Sequence, residues 1–240
     1  MNKLVLVVPA RAGSKGFPQK NRMKISGNSL FRNTLELGLK IKKHLSKTHE
    51  VIIIPATDDK FLIAENSDLI EFKYIRPDSL SNDQAKLNDL IEDIFKQLHF
   101  SVQDVELILI MQPTTPQRTL SGFQEMWRFL KLRPDHSSYI SVSLTPFKKY
   151  ELLEIKNNEM KTIGSRSADI HRQDFDEKIF FEDGAYYLIS CKEFFNQSST
   201  QPIPRYYVQA HDAYILDIDT HTEYVCAKSI IEANECNRDN

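Results

Sequence analysis

The chain is predicted to be an α/β protein, a Rossmann-like, mostly parallel sheet flanked by helices. Three observations predict it. Short strand-like runs stand at Leu4–Val8, Val51–Ile54 and Glu106–Met111, apolar enough to be buried on both faces. Between them, apolar residues recur at helical spacing. The alternation of the two is the pattern of right-handed β-α-β crossovers.

Leu4-Val5-Leu6-Val7-Val8, stopped by Pro9, is the first strand. A glycine- and lysine-containing loop runs from it to about Asn28. Leu30, Leu35, Leu37, Leu39, Ile41 and Leu45 then mark a helix packed on the sheet. Val51–Ile54 is the second strand, Asp58 to about Asn66 a short helix, and Phe72–Ile75 the third strand. The segment Asp83–Leu98 is an amphipathic helix with Leu87, Leu90, Ile91, Ile94, Phe95 and Leu98 inward, and either Ser81 or Asp83 suits its N-cap. Strand Glu106–Met111, a helix near Leu120–Leu132 and strand Tyr139–Leu144 follow. After Pro146 the pattern loosens. Glu151–Ile155 and Met160–Ile163 read as a hairpin around Asn157-Asn158, and the stretch to Glu182 is polar and patternless. Strands at Ala185–Ser190, Tyr206–Gln209 and Tyr214–Leu216 restore order, and a helix Thr222–Glu235 closes the chain. One domain over 1–240, with an excursion at about 145–180, is the expected organisation.

At 240 residues, 41% hydrophobic and 27% charged, the chain can bury a full core. The 31 Lys and Arg against 33 Asp and Glu leave a net charge of −2, which argues against a nucleic-acid or anionic-membrane coat. The distribution is uneven. Lys3, Arg11, Lys15, Lys20, Arg22, Lys24 and Arg32 precede the first acidic residue, Glu36. No apolar run is long enough to cross a membrane or serve as a signal-peptide core. Cys191, Cys226 and Cys236 are odd in number and widely spaced, so reduced thiols and a cytoplasmic location are expected.

In open α/β sheets, ligands bind beyond the carboxyl ends of the strands. Pro9-Ala-Arg-Ala-Gly-Ser-Lys-Gly-Phe-Pro-Gln-Lys-Asn21 stands at such an end and holds Gly13 and Gly16, two of only seven glycines. Glycines let backbone N–H groups turn toward an anion, and Arg11, Lys15 and Lys20 supply positive charge. That combination suits a triphosphate. It is neither a P-loop nor a dinucleotide fingerprint, since G-x-x-x-x-G-K-[ST] and G-x-G-x-x-G are both absent. An exposed basic turn without a ligand is the plain alternative. The G-x-x-G loop of RNA-binding KH domains also matches Gly13–Gly16, but joins two helices rather than following a strand.

This segment resembles the N-terminal signature of the acylneuraminate cytidylyltransferases, the CMP-sialic acid synthetase family. Arg76-Pro-Asp-Ser-Leu-Ser-Asn-Asp83 is similar to that family's R-P-x-x-L-S-x-D block, and Met111-Gln-Pro-Thr-Thr-Pro-Gln-Arg118 to its L-Q-P-T-S-P-L-R segment. Asp217-Ile-Asp219-Thr220 is similar to its metal-binding end. Two carboxylates at period two on a strand share a face and suit Mg²⁺, the reading favoured here, although a lone D-x-D is common and a cap of the last helix is the plain alternative for Asp219.

The resemblance implies a nucleotidyltransferase-type fold, a homodimer built through the excursion, and CTP and a nine-carbon keto-sugar acid as substrates. It implies nucleotide binding by Arg11, Ala12, Gly13, Ser14, Lys15, Lys20, Asn21 and Ser81, and sugar binding by Gln112, Thr114, Arg172, Asp183 and Tyr187. It implies Mg²⁺ on Asp217 and Asp219, with Lys20 and Asp217 closest to the chemistry. Thr115 and Arg118 are expected to stiffen a strand-to-helix connection instead. The middle block departs from the family: Asp183 stands where an asparagine is usual, and Leu-Pro after Arg172 is missing. A carboxylate there adds charge near an anionic substrate. Octulosonate cytidylyltransferases, a D-x-D glycosyltransferase and a non-catalytic nucleotide-binding homologue are the rival readings.

Overall fold

The computed structural model describes residues 2–13, 16–145, 153–156, 159–162, 178–211 and 215–236, the two short spans 153–156 and 159–162 in backbone only. The first strand, β1, runs Asn2–Ala10, longer than its apolar run. A small hairpin, β2 (Lys24–Ile25) and β3 (Asn28–Ser29), precedes helix α1 (Leu30–Leu45), capped by Ser29 accepting from Arg32 N. Then come β4 (His49–Thr57), α2 (Lys60–Glu65), α3 (Leu87–Gln97), β5 (Val105–Ile110) and α4 (Leu120–Leu132). Strand β6 (Ser138–Leu144) leads into the excursion, where β7 (Leu153–Lys156) pairs antiparallel with β8 (Glu159–Thr162). The chain returns as β9 (Phe180–Ser190), α5 (Cys191–Gln197), β10 (Arg205–Val208) and α6 (His221–Cys236).

The main sheet has six strands in the order β10-β6-β9-β5-β1-β4. The pairings of β1 with β4 and β5, and of β10 with β6, are parallel, whereas β9 is antiparallel to both neighbours. Alternation along β1 sends side chains to opposite faces. Leu4, Leu6 and Val8 pack with α1 and α4, while Val5 and Val7 pack with α3 and α5. A third, smaller cluster of Ile25, Leu30, Ile218, Tyr224 and Ala227 ties the β2–β3 hairpin to α6.

The predicted alternation of strands and helices is present, with several differences. Phe72–Ile75 is not a strand: Ile75 makes one isolated bridge to Thr57, and Tyr74 is buried while Ile75 is 70% exposed. The segment touches β4 only at its last residue, by that parallel bridge and by Arg76 N donating to Thr57 O. Helix α3 starts at Leu87 rather than Asp83, because Asn82 and Asp83 spend their side chains on Gln84 N and Arg11. Neither Ser81 nor Asp83 caps it. Residues 215–219 form no strand, and Tyr214 lies outside the described residues. Helix α5 has no counterpart in the expected elements.

Because β1, β4 and β5 are parallel, Ala10, Thr57 and Ile110 end at one edge of the sheet. Strand β9 runs the other way, with Tyr187 opposite Ile110, so Asp183 and Gly184 lie beyond the end of β5 at that same edge.

Candidate active site

At this edge opens a cleft of about 440 Å³, the size of a small-ligand site. Arg11, Gly16, Phe17, Lys20 and Asn21 line it from the first loop, Arg76, Asn82 and Asp83 from the segment before α3, Gln112 and Thr114 from the loop after β5, and Asp219 from the segment before α6.

The first loop is built to keep its cations in place. Lys20–Arg22 form a 3-10 turn after Gln19, which sits at a φ of 57°. Asn21 is buried there, donating through Nδ2 to Arg11 O at 3.1 Å, while its Oδ1 has no partner among the described residues. Lys20 Nζ donates to Ile218 O (3.0 Å) and Asp219 Oδ1 (2.8 Å), tying the first loop to the D-I-D segment. A Cβ on Gly16 would stand 3.1 Å from Asp219 O, so the closeness of these two segments favours glycine.

Each cation of the cleft is matched. Arg11 Nη1 meets Asp83 Oδ1 at 2.6 Å, and Lys20 meets Asp219. Arg76 is 8% exposed and donates through Nε to Leu80 O; burial lowers its pKa, and the charge of Asp58 opposes that shift. Asp58 also accepts from Ala12 N at 2.8 Å. Carboxylates thus hold groups that an anionic ligand would engage.

The D-I-D segment is fixed through its middle residue. Ile218 is fully buried, and its N–H donates to Thr114 O at 2.8 Å. Asp217 and Asp219 flank it. Burial raises the Asp217 pKa above the usual carboxylate range; neighbouring Asp219 adds to this, while the Thr114 hydroxyl and Lys20 pull the other way. Helix α6 is capped without Asp219. Thr220 and Glu223 form a reciprocal capping box, with Thr220 Oγ1 accepting from Glu223 N and Glu223 Oε2 accepting from Thr220 N and Asp219 N. Asp219 therefore keeps a carboxylate oxygen for the cleft.

Two hard carboxylates suit a divalent cation that takes its other ligands from phosphate and water. Among the described residues no three His, Cys, Asp or Glu side chains converge as a metal cage. The donor set fits Mg²⁺ better than zinc.

Of the residues implied by resemblance, Arg11, Lys20, Asn21, Gln112, Thr114 and Asp219 meet in the cleft. Gly13 faces open space, and Ala12 N is held by Asp58. Ser14, Lys15 and Arg172 lie outside the described residues. Ser81 turns away, its Oγ donating to Pro77 O at 2.9 Å. The expectation of a sugar contact at Asp183 needs correction: its side chain is 1% exposed and its oxygens are taken by Ser141, Ser143 and Ala185 N. Tyr187 packs its ring against the face that holds α3, and burial pushes its pKa up to about 12. Arg118 is buried and donates to Thr115 Oγ1, Thr34 Oγ1, Ala185 O and Gln112 O, bracing the loop after β5 as expected; burial lowers its pKa to about 10. Arg76 and Asp58 were not singled out from the sequence. Arg76 heads the R-P block, and an arginine at the entry to a ligand-edge loop was the available signal.

The family model for cytidylyltransferases matches residues 5–121. Among curated proteins, the chain is 23% identical over 229 residues to an N-acylneuraminate cytidylyltransferase of Streptococcus agalactiae serotype V, covering 93% of this chain and 52% of that one. It is 23% identical over 239 residues to the CMP-N,N'-diacetyllegionaminic acid synthase of Legionella pneumophila, covering 97% and 98%. The pseudaminic acid cytidylyltransferase of Campylobacter jejuni is 21% identical over 242 residues, covering 97% of each. The chain thus spans about half the length of the streptococcal relative and nearly all of the other two. Among solved structures, CMP:2-keto-3-deoxy-manno-octonic acid synthetase complexed with CTP shares the fold at a TM-score of 0.65 and 14% identity, covering 97% of this chain and 100% of that one. The family model's match spans just under half of the chain, and on these matches, with the same fold beneath them, the chain is similar to the cytidylyltransferases.

Proposed function

We propose that the chain transfers a cytidylyl group from CTP to the anomeric hydroxyl of a nonulosonic, sialic-type sugar acid, releasing pyrophosphate. The observation that carries this reading is the cleft itself: Arg11, Lys20 and Arg76 converge on a triphosphate-sized space beside Asp219. The whole-length relatives that act on legionaminic and pseudaminic acids support the substrate class.

In this reading Arg11, Lys20 and the backbone of the first loop, with Ser14 and Lys15, hold the triphosphate. Asn21 Oδ1, a buried acceptor without a partner among the described residues, suits a nucleoside donor such as the cytosine amino group. Gln112 and Thr114 face the sugar. Asp217 and Asp219 would hold Mg²⁺, which supplies neutralisation of phosphate charge there. The sugar hydroxyl attacks the α-phosphorus, the bond from that phosphorus to the β-bridging oxygen breaks, and the hydroxyl proton passes to Asp217 or to water. The positive side chains stabilise the departing pyrophosphate, so positioning and charge carry most of the rate.

The test is pyrophosphate release from CTP and Mg²⁺ with a panel of nonulosonic and octulosonic acids. Release with a nine-carbon acid is expected. Release only with the eight-carbon acid would move the assignment to the octulosonate enzymes, and CTP binding without release from any acid would favour a non-catalytic binding protein.

A further inference from the structure

Between Ile140 and Val142 of β6, the register with β9 slips: Ile140 pairs with Tyr187 and Val142 with Glu182, so Ser141 alone spans a step that takes β9 from Asp183 to Tyr186. Such a bulge leaves backbone groups without ladder partners. Here side chains replace the ladder. Ser141 Oγ accepts from Tyr186 N at 2.8 Å and donates to Asp183 Oδ1 at 2.5 Å, stitching the two ends of the bulge together. Asp183 Oδ1 also accepts from Ala185 N at 3.0 Å, and its Oδ2 accepts from Ser143 Oγ at 2.8 Å. Gly184, inside the bulge, has a φ of +69°, which favours glycine.

The bulge supports the cleft from behind. A Cβ on Gly184 would lie 3.6 Å from both Asp217 Oδ2 and Thr115 Cγ2. Gly184 O accepts from Thr115 Oγ1 at 3.4 Å, and Ala185 O from Arg118 Nη1 at 3.2 Å. Arg118 in turn donates to Gln112 O and Thr115 Oγ1. Thr114 O, in the same loop, receives Ile218 N. An unbroken set of hydrogen bonds and close approaches runs from the β6 serines through Asp183 to the loop bearing Gln112 and to Asp217.

We propose that Asp183, held by Ser141 and Ser143, is a positioning residue: it locks the Gly184 bulge and thereby fixes Asp217 and the Gln112–Arg118 loop, without touching substrate. The departure from the family's asparagine is then chemically mild. An amide in this place keeps Oδ1 as acceptor for Ser141 and Ala185 N, and its Nδ2 donates to Ser143 Oγ, since a hydroxyl also accepts. A residue acting by its charge on the substrate would not tolerate that exchange.

Two readouts test this, of which only the kinetic one rests on the cytidylyl-transfer reading. Asp183→Ala should lower kcat by about 10- to 100-fold, with KM for CTP within roughly threefold because the first loop is untouched. Asp183→Asn should restore kcat to within about threefold of wild type. By amide hydrogen exchange, Asp183→Ala should lose protection at Ile218, whose N–H bonds Thr114 O, and along 184–188, while α1 keeps its own; Asp183→Asn should regain it. If Asp183→Ala fails to fold, Ser143→Ala, which removes one donor, should show the same local loss more weakly. Asp183→Asn as impaired as Asp183→Ala in both readouts would overturn the proposal, as would unchanged exchange at Ile218 in Asp183→Ala. Should wild type release no pyrophosphate while the exchange pattern appears, the function fails and the positioning role stands.

Discussion

Lys20 is the residue on which the cleft turns. Its ammonium bridges the first loop to Ile218 O and Asp219, so truncation removes both the proposed phosphate partner and the tie between two walls. Lys20→Ala should reduce turnover by about 10²- to 10³-fold with the unfolding midpoint little changed, measured by pyrophosphate release and urea denaturation. A near-wild-type rate would remove Lys20 from the mechanism. A neighbouring pair gives a pH-dependent expectation. Burial alone would raise the Asp59 pKa, but bidentate hydrogen bonds from Arg22 at 2.7 Å and the N–H groups of Leu62 and Phe61 outweigh it and hold the carboxyl below its usual range. A pKa depressed by folding contributes stability above the unfolded value, and this is lost as pH falls through the folded value. Asp59→Asn keeps a capping side chain, so the stability gap from wild type should be about 1 kcal/mol at neutral pH, discounted for the solvent around Arg22. It should close below about pH 4. A gap unchanged in acid would contradict the charge argument. Residue types in the first loop and in D-I-D were legible because their chemistry is written in the side chain. The roles of Ser81 and Asp183 were not, because whether a polar group faces a cleft or a backbone depends on distant strands.

At the scale of elements, the ends of helices decide where the cleft residues go. The Thr220–Glu223 capping box spares Asp219 from capping duty, and the buried Ile218 and Tyr224 fasten the start of α6 to the first-loop hairpin. Glu223→Ala should therefore cost about 1 kcal/mol in urea denaturation and loosen Asp219 N. No loss of stability would mean that Thr220 caps α6 unaided. The S/T-x-x-E pattern stands in the sequence at Thr220 and Glu223, and it is this box rather than Asp219 that caps the helix. Helix α4 matched its expected bounds, Leu120–Leu132, since a strong apolar period and Thr119 agree locally. Helix α3 began late because Asp83 is drawn across the cleft to Arg11, a contact 72 residues away in sequence. Strand β9 was expected as Ala185–Ser190 but runs from Phe180, since Asp183 interrupts the apolar pattern where the bulge turns it inward.

For the whole molecule, the near-neutral charge conceals a deliberate separation. The basic first 35 residues place Arg11 and Lys20 at the edge where three parallel strands end, and acidic residues from three later segments meet Arg11, Lys20, Arg22 and Arg76 there. Parallel strand direction, legible from the β-α alternation, is what gathers those distant residues; the antiparallel β9 and the pairing order were not legible, being set by packing between remote segments. The account's central claim is that this cleft joins a cytidylyl group to a sugar acid. Phosphorus NMR of the chain with CTP, Mg²⁺ and a nonulosonic acid tests it most directly. A new phosphodiester signal should grow together with pyrophosphate as the triphosphate signals decay. A triphosphate that persists, or that decays to CMP or CDP with no phosphodiester, would contradict it.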